Sequence, residues 1–311
     1  MNRMTENKLI LVVRPTRLDE LVAKYNTLQQ AQFYVEHLGA DFSDYVREHQ
    51  QYRSAVQQTE ETLSRLGRVQ ALDRRFLPNF VFGKQDTIIV LGQDGLVANS
   101  MKYLNGQSVI GVNPDKTRWD GVLLPFGVED LQSIVPETWA NRRPIKEVTM
   151  AKATLNNGAQ IYAVNDLFIG PKSHTSARYT IRIGEREEQQ SSSGIIVSTG
   201  LGSTGWLKSI LTGSVAITAN LGQRGAEPQL KPISWDADYL VYSVREPFPS
   251  RTTGTSIVAG RVTPATLMNL VSLMPENGVI FSDGVENDFL EFNSGVHATI
   301  AVAEKRGRLV M

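Results

Sequence analysis

The chain has 311 residues, enough for about two domains, and its 41% hydrophobic and 21% charged residues are ordinary for a chain that buries a core. Lys+Arg and Asp+Glu both count 32, which leaves no net charge to recruit nucleic acid or an anionic membrane. The absence of cysteine excludes disulfides, thiolate metal sites and a cysteine nucleophile.

Residues 1–8 hold no apolar stretch long enough for a signal peptide, and a cytoplasmic protein is the expectation. Leu9-Ile10-Leu11-Val12-Val13 reads as a first buried strand, far too short to span a membrane. It stops at Arg14-Pro15-Thr16-Arg17, where proline ends the ladder. Arg14 and Arg17 stand at the strand's edge as candidate phosphate ligands or as parts of a solvated loop. Ala31, Val35 and Leu38 share one face of an expected amphipathic helix over 29–38, closed by Gly39. A longer surface helix is expected over 43–66, and a second strand over 69–76 before Pro78.

Thr87-Ile88-Ile89-Val90-Leu91 is a β-branched run of the kind buried on both faces of a parallel sheet. It breaks at Gly92-Gln93-Asp94-Gly95, and Val97, Met101 and Leu104 then repeat at helical spacing. A strand, a glycine turn and a helix start leave backbone N–H groups open to an anion. The same turn holds the Asp94 carboxylate at the C-terminal edge of the sheet, where open α/β sheets bind ligands; a simple N-capping aspartate is the bland alternative. Another buried strand, 107–113, ends at Pro114, and 129–135 suggests a short helix. Asn141-Arg142-Arg143-Pro144 is a plausible linker. The expected division is an α/β domain over 1–143 and a β-rich domain over 144–311.

In the second half, segments 148–155 and 160–164 flank Asn157-Gly158, a strong hairpin signal. Further strands are expected at 179–183, 194–198, 239–244, 279–282 and 297–303, with a short helix at 206–211. Val164-Asn165-Asp166-Leu167 places an amide beside a carboxylate, a pair able to bind an adenine edge or ribose hydroxyls, or to form an Asx-turn. Ser198-Thr199-Gly200-Leu201-Gly202-Ser203-Thr204-Gly205-Trp206 offers N–H and O–H donors with an aromatic ring beside them. Asp283-Gly284 reads as a hairpin end. His37, His49, His174 and His297 lack metal-ligand spacing, and neither a G-x-x-x-x-G-K-[ST] loop nor a G-x-S-x-G elbow occurs.

In this order the pieces resemble the NAD kinase family, which carries Gly-Gly-Asp-Gly after a strand, then Asn-Glu, then a Thr-Gly-Ser-Thr-rich loop. The matching residues are Gly92-Gln93-Asp94-Gly95, Asn165-Asp166 and Gly200-Leu201-Gly202-Ser203-Thr204-Gly205-Trp206. The mitochondrial-type NAD kinases and their bacterial relatives are most similar. They share Thr16-Arg17, a strand like 109–113, Ser176-Ala177-Arg178, Ser192-Ser193-Gly194 and Val244-Arg245-Glu246-Pro247.

The resemblance implies a Rossmann-like α/β domain followed by an all-β domain. It implies transfer of a phosphoryl group from ATP, with Mg²⁺, to the 2′-hydroxyl of the adenosine ribose of NAD or NADH, giving NADP. Asp94 would be the general base, with Gly92, Gln93, Gly95, Asn165, Asp166, Thr199, Gly200, Gly202, Ser203, Thr204 and Trp206 around NAD. A homodimer or homotetramer is implied, because in the family a neighbouring subunit completes the site. The chain departs from the family pattern at Gln93 (glycine), Leu96 (threonine) and Asp166 (glutamate). Two other readings fit such departures: a catalytically weak homologue that binds NAD or a related nucleotide as a sensor or subunit, and a kinase for another small alcohol, a sugar or a lipid.

Overall fold

The computed structural model describes residues 8–222 and 232–311; the signal-peptide expectation, drawn from the first residues, falls mostly outside them. The chain divides into two compact units, Met1–Lys146 with Arg308–Met311, and Glu147–Gly307.

In the first unit, β1 (Lys8–Val13) and β3 (Thr87–Leu91) are almost wholly buried strands, as their unbroken apolar runs demand. They pair in parallel, with β2 (Arg68–Asp73) on the other edge of β1 and β4 (Ser108–Val112) beside β3. The chain's end closes the row, Arg308 and Leu309 pairing in parallel with Ser108 and Val109. Between β1 and β2 run α1 (Arg17–Tyr25), α2 (Leu28–His37) and α3 (Phe42–Leu66). Tyr52, Ala55, Leu63 and Leu66 of α3 pack on Leu9, Ile89 and Ile110 of the sheet, joined by Leu131, Ile134 and Val135 of α5 (Leu131–Trp139). Each fully buried Leu or Ile contributes about 1.5–3 kcal/mol, so this face is the main stabilising element of the unit.

The second strand ends at Asp73, three residues before its expected limit, because Asp73 caps the 3₁₀ turn Arg74–Asn79 through the Arg75 N–H. Helix α1 was not expected. Thr16 and Asp19 form a reciprocal capping box at its start, so the Arg-Pro-Thr-Arg stretch is a helix entry and not merely a loop.

The second unit is a sandwich of two sheets. One contains β8 (Ala177–Ile183), β9 (Arg186–Ser192), β13 (Met268–Ser272) and β16 (His297–Val310), with the hairpin β5 (Ile145–Leu155) and β6 (Gln160–Ala163) alongside. The other runs β12 (Ala259–Val262), β11 (Leu240–Val244), β10 (Ile195–Ser198), β7 (Asp166–Pro171), β14 (Gly278–Ser282) and β15 (Val285–Glu291), every neighbour antiparallel. Tyr179, Ile181, Leu270 and Ile300 of the first sheet meet Leu167, Ile169, Val197 and Ile280 of the second in one core. The outer face of the six-stranded sheet carries α6 (Trp206–Asn220), which packs through Trp206 and Ile210 onto Phe168, Ile196 and Val279. This helix runs nine residues beyond the short helix expected from Trp206 to Leu211. No helix among the described residues is long and apolar enough to cross a membrane.

Candidate functional site

The Gly-x-Asp-Gly turn lies where β3 hands over to α4 (Asp94–Met101). Gln93 is the N-cap of that helix at φ −121° and ψ 161°, ordinary extended backbone, so this position does not use a glycine's freedom. The Gln93 carbonyl starts the helix by accepting the N–H groups of Leu96 and Val97. Its side-chain amide makes no capping bond and has no hydrogen-bond partner among the described residues. Leu96, which takes the place of the family's threonine, is buried and packs over Gly92.

Asp94 is the first residue of α4 and is half-buried. Its Oδ1 accepts the Leu123 N–H at 2.7 Å, and Oδ2 has no partner among the described residues. The carboxylate is thus oriented by one bond, with one oxygen left for chemistry. Leu123 belongs to the irregular segment 113–126, which folds back over the end of β4. Gly111 is required there: a Cβ at that position would lie 1.9 Å from the Leu123 carbonyl oxygen.

Arg14 and Arg17 do not present free guanidiniums to this turn. Arg14 binds Glu48 Oε1 at 2.9 Å, and Arg17 reaches Glu48 and Asp44 of α3. Burial works against the charge on Glu48, but hydrogen bonds from Arg17 and Arg14 outweigh it and hold its carboxyl below the usual range. The Tyr52 hydroxyl joins the two strand ends, accepting the Arg14 N–H and donating to the Leu91 carbonyl. The arginines therefore brace the base of the turn, and Tyr52 ties that brace to β3.

In the second unit, Asn165 and Asp166 stand where β6 passes into β7. Asp283, at φ +54° in the β14–β15 turn, receives the consecutive N–H groups of Val164, Asn165 and Asp166 on its carboxylate. The hairpin end expected at Asp283-Gly284 is there, and it also fixes this corner, a role that no local pattern around Asp283 signals. The Asn165 side-chain amide has no partner among the described residues. Asp166 is largely buried, with Oδ1 unpartnered. Burial pushes its carboxyl up to about 7, against a hydrogen bond from Ser198 and with help from the nearby Asp283 charge.

The 199–206 loop uses its hydroxyls on itself. Thr199 Oγ1 donates to the Val164 carbonyl at 2.6 Å and accepts the Gly202 N–H; Ser203 Oγ donates to Gly200 O, and Thr204 Oγ1 to Leu201 O. Gly202 is needed for close approach, since a Cβ there would lie 2.2 Å from the Asn165 carbonyl oxygen.

The ring that ends the loop opens a pocket of about 510 Å³ on the outer face of the six-stranded sheet. Its floor is Phe168, stacked parallel to Trp206 at 5.8 Å and stacked on Phe281 at 4.7 Å with a 28° tilt. Arg245 lies over the Trp206 ring at 5.5 Å, and Lys172 Nζ over Phe289 at 3.4 Å. Flat aromatic walls, with Arg245, Lys172 and the Glu286 carboxylate also lining the pocket, suit a planar ring joined to polar or charged groups. Phe168, Phe281 and Phe289 come from three strands paired in register, which is why no local motif announced them.

No protein-family model and no curated protein sequence matches the chain. Solved structures do. An NAD kinase from Archaeoglobus fulgidus, determined in complex with ATP, aligns with TM-score 0.59 and 16% identity over 98% of this chain and 93% of its own. Yeast NADH kinase, complexed with NADH, aligns with TM-score 0.59 and 13% identity over 98% of this chain and 84% of its own. The fold is therefore that of the NAD kinases.

Proposed function

We propose that the chain is an NAD kinase-type phosphotransferase, moving the γ-phosphoryl group of ATP to the 2′-hydroxyl of the adenosine ribose of NAD or NADH. The observation that carries this reading is the Asp94 carboxylate, held at the sheet's C-terminal edge with Oδ1 tied to Leu123 and Oδ2 free of partners among the described residues. In this reading Oδ2 takes the 2′-hydroxyl proton, the ribose oxygen bonds to the γ-phosphorus, and the bond to the β-phosphate oxygen breaks to release ADP. General-base assistance of this kind is worth roughly 10²–10⁴ in rate.

The remaining work is positioning, which dominates phosphoryl transfer. The Gln93 amide, without a hydrogen-bond partner among the described residues and in extended backbone, donates toward a phosphate oxygen. The Asn165 amide and the Asp166 carboxyl are the second unit's candidates for the adenosine, an assignment that rests on the sequence resemblance. The pocket floored by Phe168 takes a flat ring of the dinucleotide against its aromatic walls, with Lys172 and Arg245 toward phosphate oxygens. Mg²⁺ enters this reading as the cation ATP brings on its phosphates, and no protein step is routed through it.

A homo-oligomer, which rests on the sequence resemblance, and a cytoplasmic location belong to the same proposal. The weak-binder alternative draws on Gln93 and Leu96, and the extended backbone at Gln93 weighs against it. Incubation with NAD or NADH and Mg·ATP, followed by a coupled assay for NADP or NADPH, tests the proposal. Formation of either supports it; nucleotide-dependent thermal stabilisation without any product favours the sensor.

A further inference from the structure

The carboxylate proposed as the base does not hold itself in place. Among the described residues its side chain has one hydrogen bond, from the backbone N–H of Leu123, in a segment without helix or strand. A single residue, Asn113, fastens that segment at several points. Its N–H donates to the Phe126 carbonyl at 2.8 Å. Its Nδ2 donates to the Trp119 carbonyl at 2.9 Å, and its Oδ1 accepts the Asp115 N–H at 3.0 Å. The amide also lies against Gly121, where a Cβ would stand 2.8 Å from Nδ2. Asn113 is 5% exposed, so these bonds compete little with water. Elsewhere the segment is held by Arg118 to Asp44 of α3, by the Gln51 amide donating to the Pro114 carbonyl, by Lys116 to Glu129, by Phe126 in the core of the unit and by the contact of Leu123 with Gly111.

From this arrangement we infer that Asn113 is a positioning residue for Asp94, acting through the 113–126 segment and the Leu123 N–H. The inference rests on the general-base reading of Asp94 and adds to it a residue that touches no reactant. Its side-chain amide spans both ends of a turn, supplying the donor to Trp119 and the acceptor for Asp115 from one group. Loss of the amide frees Leu123 to move, and a carboxylate misplaced by about 1 Å costs up to roughly a hundredfold in rate.

Two readouts on Asn113→Ala test it. Amide hydrogen exchange at Leu123 is expected to speed up by about tenfold or more, while Ile89 and Val90 in β3 keep their protection. The kcat for NAD phosphorylation is expected to fall about ten- to a hundredfold, with KM for NAD changed by less than about twofold. Asn113→Asp, which keeps the acceptor and loses the donor, is expected to lie between alanine and wild type. It becomes the variant to read if alanine also strips protection from β3. Unchanged Leu123 exchange, or faster exchange with undiminished kcat, overturns the positioning role. A loss expressed in KM alone overturns it as well. Asp94→Asn with full turnover would instead remove the general-base reading, a result distinct from either of those.

Discussion

The turn at 92–95 and the loop at 199–206 have similar compositions and opposite physical uses. Both read in sequence as glycine-rich cradles with donors facing a ligand. In the turn, the polar side chains are left open: the Gln93 amide has no partner among the described residues, and Asp94 has one oxygen tied and one oxygen free. In the loop the hydroxyls of Thr199, Ser203 and Thr204 all bind the loop's own backbone or the adjoining Val164. In the proposed reading the loop is a scaffold, and it meets the ligand through the ring at its end, Trp206, and the pocket that ring forms with Phe168. The lesson is that a hydroxyl-rich loop must be counted bond by bond before its donors are offered to a ligand.

The comparison breaks first at the glycines. Gly202→Ala forces a methyl against the Asn165 carbonyl and is expected to cost about 3 kcal/mol in urea-induced unfolding of the chain. A smaller penalty than about 1 kcal/mol would show that the loop has room to yield. Thr199→Val removes a buried hydroxyl that donates to one backbone group and accepts from another. About 1–3 kcal/mol is expected to be lost, with nucleotide affinity falling only in proportion to any loss of folded protein. An affinity loss at full stability would return Thr199 to the ligand.

Asp166 supplies a test by pH. Its carboxyl is raised by burial to about 7 from 3.8. Between those values the folded chain keeps a proton that the unfolded chain has released, so its contribution to stability is lost as pH rises through about 7. Urea titrations of wild type and Asp166→Asn across that range should diverge, the variant losing less stability toward about pH 8. Parallel curves would place the titration elsewhere.

The smallest effect belongs to the open turn. A methyl carbon added at Gly95, in the first turn of α4, would meet nothing within 4 Å. Gly95→Ala should therefore leave stability unchanged or raise it by up to about 1 kcal/mol. Any loss of turnover in that variant measures how closely a ligand approaches the backbone there.

Much of this was legible in the sequence, and the reason is local. Residues 9–13, 88–91 and 109–112 are runs without a polar side chain, and such runs have few places to go except a sheet covered on both faces. The hairpin at Asn157-Gly158 followed from its turn chemistry. The strands that escaped are polar or short. β9, with Glu187, Glu188, Gln189 and Gln190, lies at a sheet edge and needs no apolar alternation. β7 was hidden because Asn165-Asp166 resembles a turn, and Asp283, over a hundred residues away, supplies the acceptor that lets it be a strand start. The aromatic pocket was beyond any local reading. Phe168, Phe281 and Phe289 become neighbours only through the register of β7, β14 and β15. The capping box at Thr16 and Asp19 was visible and would have announced α1.

The central claim is that Asp94 removes the proton from the accepting hydroxyl. The most direct test measures turnover and NAD affinity together in Asp94→Asn, which keeps the side chain's shape and the acceptor for Leu123 while losing the basic oxygen. The account predicts kcat lowered by roughly 10²–10⁴ with the dissociation constant for NAD within about twofold of wild type. Turnover preserved at the wild-type rate in a folded variant would contradict it.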